Sequence, residues 1–381
     1  MLALTGARRR GENGGVSPTG LAERLRESIR RDGPLRFDSF QRAALYDRDG
    51  GYYERPGRVG REGDFVTGAS WHPAFARCLL RLASRLADEL APPVDLVDVG
   101  AGEGELLAHL AAERPEGVAL RLAGVEASAT RRATASSRVP DARFHADAAD
   151  LPGGIAGLVV AYELFDALPV RALRLGEDGE LFERRVGLDG NGAFAWVDAA
   201  CPDGAEILAG LARRGAVPEP GQLLEVRPGA PALAHELARH LERGLVLVFD
   251  YGAPTRALYG PARTSGTLEA FLGHTVTRDV LSDPGSRDIT SWVDFGELGE
   301  ALEAEGLTVR GLVTQSRLLL TSGIAEELAR AGAAASPAER AAERNAVAKL
   351  FMPGGMGESL RVLVAEKNTV LGKSLIDRPL V

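Results

Sequence analysis

The stretch VDLVDVGAGEG, Val94 to Gly104, decides how the rest of this chain is read. Its first six residues have the composition of a buried strand, and the strand runs straight into glycines at positions 100, 102 and 104. Residues up to Glu113 then take helical spacing. Glycines in such a turn reach backbone torsions closed to other residues, and they let the main chain approach a ligand with no Cβ between. A plain strand-to-helix connection has the same local signature, so the decision falls to the residues beyond the turn.

Downstream, short apolar runs alternate with helical stretches at Leu120–Val125, Ala142–His145, Gly157–Ala161, Leu245–Phe249, Leu307–Val313 and Leu360–Ala365. This alternation predicts an α/β fold: a Rossmann-like, mostly parallel seven-stranded sheet with helices on both faces. Glu126 ends the second strand about 20 residues after the glycines, where an acid can bond both hydroxyls of a ribose. Asp147 and Ala148 follow the third strand, where a carboxylate can meet an adenine amino group. Features at three successive strand ends mark the crevice in which such sheets bind ligands. A dinucleotide site would place a glycine three residues after Gly102, but that position holds Glu105, which leaves a nicotinamide dehydrogenase as the weakest reading. With Asp98 and Glu103 the turn is acidic, poor for a pyrophosphate on helix amides and suited to a sulfonium and an ammonium. The expected cofactor is S-adenosyl-L-methionine, held by Asp98, Gly100, Ala101, Gly102, Gly104, Glu126, Asp147, Ala148 and Glu163.

The chain of 381 residues carries a net charge of −8, which disfavours nonspecific nucleic-acid binding. Nearly all its positive charge is arginine, a high-GC, bacterial bias. Two cysteines, Cys78 and Cys201, fit a reducing cytoplasm. No apolar run reaches membrane-spanning length, and no metal-ligand spacing such as HExxH occurs, so neither a membrane nor a metal is expected. The expected organisation is a disordered tail at 1–20, an N-terminal helical and lid region at 21–93, and the cofactor-binding core at 94–170. An insertion with a β-hairpin and helices follows at 171–243, then the remainder of the core with acceptor-site loops at 244–367, and a tail at 368–381. Helices are expected from Leu21 to Arg31, with Thr19 a candidate cap, and from Pro73 to Leu90.

Other strings accompany the glycine turn: GYYERPGRVGREGDFVT (51–67), AYELFDALPV (161–170), FDYG (249–252), GTLEAFLGH (266–274), DITSWVDF (288–295), TQSRLLL (314–320) and LFMPGGMGESLRVLV (350–364). In this order, across positions 49–366, they resemble the MidA/NDUFAF-seven-like family of class I methyltransferases. The family's eukaryotic mitochondrial members are implicated in arginine methylation of a respiratory complex I subunit. The resemblance therefore implies transfer of a methyl group to a protein arginine. Three positions depart from the family pattern: Tyr162 stands for an Asn before Glu163, Ala69-Ser70 for a Pro-Glu, and Trp292 for a His.

A carboxylate pair just past the fourth strand, Glu163 and Asp166, can hold a guanidinium and orient one nitrogen. Alternatively, Asp166 caps the following turn and Glu163 binds cofactor only. His274 is a candidate base or a structural hydrogen-bonder. Asp250, Tyr251 and Asp294 are candidate acceptor contacts, and Asp64 and Thr67 candidate lid residues. Asp64 could equally cap the helix near Pro73, and Tyr251 could be an ordinary buried tyrosine. Two other functions fit the residues: a small-molecule methyltransferase with an aromatic pocket of Tyr162, Trp71 and Trp292, or a non-catalytic cofactor-binding assembly factor. The expected partner is a protein or small-molecule methyl acceptor, with a homodimer as a candidate assembly.

Overall fold

The computed structural model of the chain describes residues 18–55, 68–90, 92–272, 275–331 and 336–377. Its centre is a sheet of seven strands. In chain order these are β1 (Val94–Val99), β2 (Leu120–Val125), β3 (Arg143–His145), β4 (Ile155–Tyr162), β5 (Leu241–Asp250), β6 (Thr308–Thr314) and β7 (Arg361–Lys367). Across the sheet they stand in the order β6-β7-β5-β4-β1-β2-β3. Strands β3, β2, β1, β4 and β5 pair parallel to one another, while β7 runs antiparallel between β5 and β6.

The sheet is covered on both faces, which is why its strands read as near-continuous apolar runs. On β1, Val94 and Leu96 join a core with Phe75, Leu79 and Leu82 of the helix Pro73–Ala87. Val97 and Val99 point the other way, into a core with Ala234, Leu237 and Leu298. From β1 the chain moves outward to β2 and β3, then returns across β1 to lay down β4. That reversal opens a crevice at the carboxyl ends of β1 and β4, the place where open parallel sheets bind ligands.

The segment between β4 and β5 holds more than the expected hairpin. Arg171–Leu175, Leu181–Leu188 and Phe194–Ala200 are consecutive antiparallel strands, joined by Leu223–Val226 and by Leu35–Arg36 from the N-terminal region. The sequence shows the two Gly turns but cannot show a two-residue strand arriving from 135 residues away (Arg36 to Arg171). This second sheet and the helix Phe37–Tyr46 enclose an aromatic core containing Phe37, Phe40 and Tyr52. Gln41, fully buried on that helix, donates to the Ile289 carbonyl (3.0 Å) and accepts from the Val170 N–H (2.9 Å). The N-terminal region is thereby fixed to the end of the loop that leaves β4. The first helix begins at Pro18, so Thr19 lies inside it. The helix Pro73–Ala87 is capped by His72, whose Nδ1 accepts from Ala74 N–H.

The pairing of β4 with β5 tolerates no side chain at its base. Gly244 has φ 132°, and a Cβ there would stand 1.9 Å from the Gly157 carbonyl oxygen. Gly244→Ala should therefore cost about 3 kcal/mol or more, read as a fall in the urea midpoint. A midpoint unchanged from wild type would refute this account of the strand contact.

Candidate functional site

A cavity of about 550 Å³ opens at the carboxyl ends of β1 and β4. Its floor is the glycine turn. Gly100, Gly102 and Gly104 all have positive φ, at 82°, 55° and 80°. A Cβ on Gly102 would meet nothing within 4 Å and would project into open space, whereas one on Gly104 would meet Ala135 at 3.1 Å. Gly102 thus leaves room for a ligand, and Gly104 lets the helix Ala129–Arg138 pack close. Gly104 does not line the cavity; the other eight residues expected to bind cofactor do.

Glu126, at the end of β2, holds this floor in place. Its Oε2 accepts from the Gly102 N–H (2.9 Å) and its Oε1 from the Ser128 N–H (2.8 Å). Asp147 accepts from the Ala149 N–H at 3.0 Å and stays exposed at the rim. Asp98 is buried, and burial, followed by the nearby Glu126 and Glu105 carboxylates, pushes its pKa up to about 7. Burial likewise raises Glu126. A wall crowded with acids that hold their protons is relieved by a cation. The chemistry of this acidic set fits the ammonium and sulfonium of S-adenosyl-L-methionine, and Glu126 and Asp147 line the same cavity.

Glu163 follows β4 directly, at φ 47°, a conformation that costs a non-glycine residue about 1–3 kcal/mol. Its N–H is tied to the Phe249 carbonyl (2.8 Å), and its carboxylate accepts from the Gly68 N–H. The other oxygen, Oε1, is buried without a hydrogen-bond partner among the described residues. Burial, then the Asp166 charge, pushes this carboxyl up to about 8. Glu163 thus combines a strained backbone, a buried unpartnered oxygen and a place in the cavity lining.

Behind it stand the residues that the sequence motifs did not single out. Tyr46 and Tyr53 line the cavity with ring centroids 5.4 Å apart. Tyr46 donates to the Ala167 carbonyl (3.0 Å) and Tyr53 to Asp288 (2.7 Å). The Arg131 guanidinium lies over the Tyr53 ring at 4.9 Å. Asp288 is buried, and burial followed by the Asp166 charge pushes it up to about 7. Glu54 also lines the cavity and accepts from the Ser128 hydroxyl (3.1 Å). Tyr53 and Glu54 lie within the string GYYERPG and Asp288 opens DITSWVDF, so a signal existed for them. Tyr46 and the exposed Arg42 at the mouth belong to a helix with no motif.

Four expected acceptor residues are placed elsewhere. Asp166 is buried outside the cavity lining and its carboxylate accepts from its own and the Ala167 N–H, so it caps its turn. Asp250 is fully buried, taking the N–H groups of Phe165 (2.9 Å), Asp166 (3.3 Å) and Tyr251 (2.8 Å). Asp294 caps the helix Phe295–Ala304 and accepts from Thr255 Oγ1. Tyr251 packs partly buried against the main core. None of these four lines the cavity. The aromatic pocket does not assemble either. Tyr162 lines the cavity, but Trp71 donates to the Ala346 carbonyl (3.0 Å), and Trp292 lies under Arg263 in a separate cluster. Asp64, Thr67 and His274 lie outside the described residues. Among the described residues, no group of three His, Cys, Asp or Glu is placed to hold a metal ion.

Residues 74–313 match a family model described as "Putative S-adenosyl-L-methionine-dependent methyltransferase". A crystal structure of a COG1565 superfamily member from Burkholderia thailandensis, bound to S-adenosyl-homocysteine, is 31% identical. It covers 94% of this chain and 95% of its own, with a TM-score of 0.81. The protein arginine methyltransferase NDUFAF7 of Xenopus tropicalis is 26% identical over 349 residues, 81% of this chain and 76% of the relative. The Drosophila melanogaster homolog is 28% identical over 330 residues, 75% of this chain and 70% of the relative.

The Glu163 carboxyl gives the ligand-free protein a pH signature. Folded, it titrates at about 8; unfolded, near 4.5. The folded state therefore binds this proton more tightly, and the associated stability is complete below the unfolded value and lost as pH rises through the folded one. Glu163→Gln removes that loss. It should melt close to wild type at about pH 5 and a few degrees higher at about pH 9. Equal shifts at both pH values in thermal melts would contradict the buried-carboxylate account.

Proposed function

This chain belongs to the S-adenosyl-L-methionine-dependent methyltransferase family whose model it matches, and on that premise we propose that its acceptor is a protein arginine side chain. The observation that carries this reading is that Glu163, a buried carboxylate whose Oε1 has no hydrogen-bond partner among the described residues, lines the same cavity as Tyr46 and Tyr53. The names of the Xenopus and Drosophila relatives support it.

The bound cofactor supplies an electrophilic methyl group. The rest is positioning and proton management by the chain. A guanidinium entering the cavity passes Tyr46 and Tyr53, whose aromatic rings favour cations, as Arg131 over the Tyr53 ring illustrates. Glu163 receives it through a charge-assisted hydrogen bond that pairs the orphaned oxygen. As the N–C bond forms and the sulfonium S–C bond breaks, the guanidinium sheds a proton, which Glu163 can take. Burial holds this carboxyl up to about 8 with no cation beside it, and bound cations ionise it, leaving a carboxylate to take the proton. The Gly68 N–H and the fixed backbone at Glu163 hold it in place for both tasks.

The test is methyl-labelled S-adenosyl-L-methionine incubated with the protein and a cell extract, followed by acid hydrolysis of the labelled protein fraction. Label is expected in methylarginine, with Glu163→Gln lowering incorporation by about 100-fold or more. Label confined to small molecules, or to another amino acid, would overturn the arginine reading. Absence of label in every fraction, with the cofactor bound, would favour a non-catalytic assembly role.

A further inference from the structure

The loop that carries Glu163 is gripped from two sides. From beneath, Asp250 accepts the N–H groups of Phe165 and Asp166. From the other side comes Arg227, just past the last strand of the second sheet, Leu223–Val226, and only 4% exposed. Its Nε donates to the Leu168 carbonyl (3.1 Å) and its Nη1 to the Trp292 carbonyl (3.2 Å). Its Nη2 reaches the Asp166 carbonyl (3.1 Å), the Ser291 carbonyl (2.9 Å) and the Ser291 hydroxyl (2.6 Å). Ser291 N–H in turn donates to the Asp166 carbonyl (3.1 Å).

Every one of these acceptors is neutral. Among the described residues no ion pair is formed by Arg227, although burying an unpaired cation is expensive. The surroundings answer that cost at a distance: the Asp166 and Asp250 charges favour the guanidinium, and it in turn opposes the rise that burial imposes on both carboxyls. A cation held by four backbone carbonyls and one serine hydroxyl, outside the cavity lining, recognises no ligand there. It sets the position of main chain, and the main chain it sets is the turn immediately after Glu163.

We propose that Arg227 is a positioning residue for methyl transfer, its guanidinium locking the Glu163–Leu168 loop so that the Glu163 carboxylate faces the cavity. The anion below takes the loop's N–H groups and the cation above takes its carbonyls, so the loop has one register in which both are satisfied. Lysine cannot replace it, since a tetrahedral ammonium offers three donors where the planar fork offers five. The second sheet therefore takes part in the reaction through one side chain, without lining the cavity. The inference rests on the role of Glu163 proposed above and is independent of the acceptor's identity.

The test uses the full chain and two cofactor analogues, titrated calorimetrically at about pH 8.5. S-adenosyl-homocysteine lacks the methyl, and sinefungin carries an ammonium where the methyl would be. The ratio of their affinities reads the carboxylate facing that position and cancels any general loss of binding. Wild type should prefer sinefungin, and Glu163→Gln should lose the preference. Arg227→Met should lower it about tenfold, with S-adenosyl-homocysteine affinity within about threefold of wild type, and Arg227→Lys should fall between. A folded Arg227→Met with the wild-type preference overturns the inference. Should that variant not fold, Arg227→Lys and Ser291→Ala decide. The latter deletes only the hydroxyl contact. A two- to threefold drop in both supports the proposal, and no change in either overturns it. If Glu163→Gln keeps the preference, the reading of Glu163 itself has failed. A drop there with no effect of Arg227 refutes this inference alone.

Discussion

A carboxylate oxygen held away from water without a hydrogen-bond partner is one of the costlier things a protein can maintain, and much of this fold is arranged around one. Glu163 cannot relax into the usual strand-exit conformation, because its N–H is tied to β5 at Phe249. The loop beyond it cannot drift, because Asp250 and Arg227 hold opposite sides of its backbone. Its neighbour Tyr162 is anchored through its hydroxyl to Gln315 (2.8 Å), and Gln315 in turn donates to the Leu350 carbonyl (2.8 Å). Strain at a single residue survives only where several elements over-determine it, and here β5, the second sheet and the helices after β6 all contribute.

The same logic explains why a small second sheet and an N-terminal helix are attached to a sheet that already binds the cofactor. The parallel core supplies the glycine turn and the acids of the crevice, but its edge alone would leave the methyl position open to water. The helix Phe37–Tyr46 brings Tyr46 to the cavity, and the short turn Tyr52–Glu54 brings Tyr53 and Glu54. Glu54 fastens that turn to Ser128 beyond the end of β2, while Tyr53 fastens it to the buried Asp288. One short segment thus ties two distant parts of the chain together at the cavity, and excluding water there strengthens each charge interaction within.

The sequence made the parallel core legible because its strands are buried on both faces and end in residues with a clear chemical task. Val94–Val99 and Leu120–Val125 have the bounds expected for them, the first ended by Gly100 and the second by Glu126. Glu163 was legible for the same reason: an acid directly after a buried strand stands out. Asp166, Asp250 and Asp294 show the limit of that reasoning. Each is an acid beside a strand or in a motif, yet each accepts backbone N–H groups and lies outside the cavity lining. Residue type and spacing cannot distinguish a carboxylate that feeds the fold from one that faces a ligand, because the difference lies in partners brought from distant segments. Arg227 is the converse case. Its surroundings in sequence carry no signal, and its role exists only because Asp166, Leu168, Ser291 and Trp292 converge on it.

The charge balance of the cavity connects binding to turnover. With no cation present, burial drives Asp98 and Glu163 up to about 7 and 8, so both tend to hold protons near neutrality. A ligand bearing an ammonium and a sulfonium returns them to the ionised form, and each such proton released strengthens the pairing. After transfer the cofactor would be a neutral thioether, without the sulfonium charge that these acids answer. The acids that favoured the loaded cofactor thereby lose their reason to hold the spent one. An acidic crevice of this kind favours S-adenosyl-L-methionine over its product by electrostatics alone, with no change in shape.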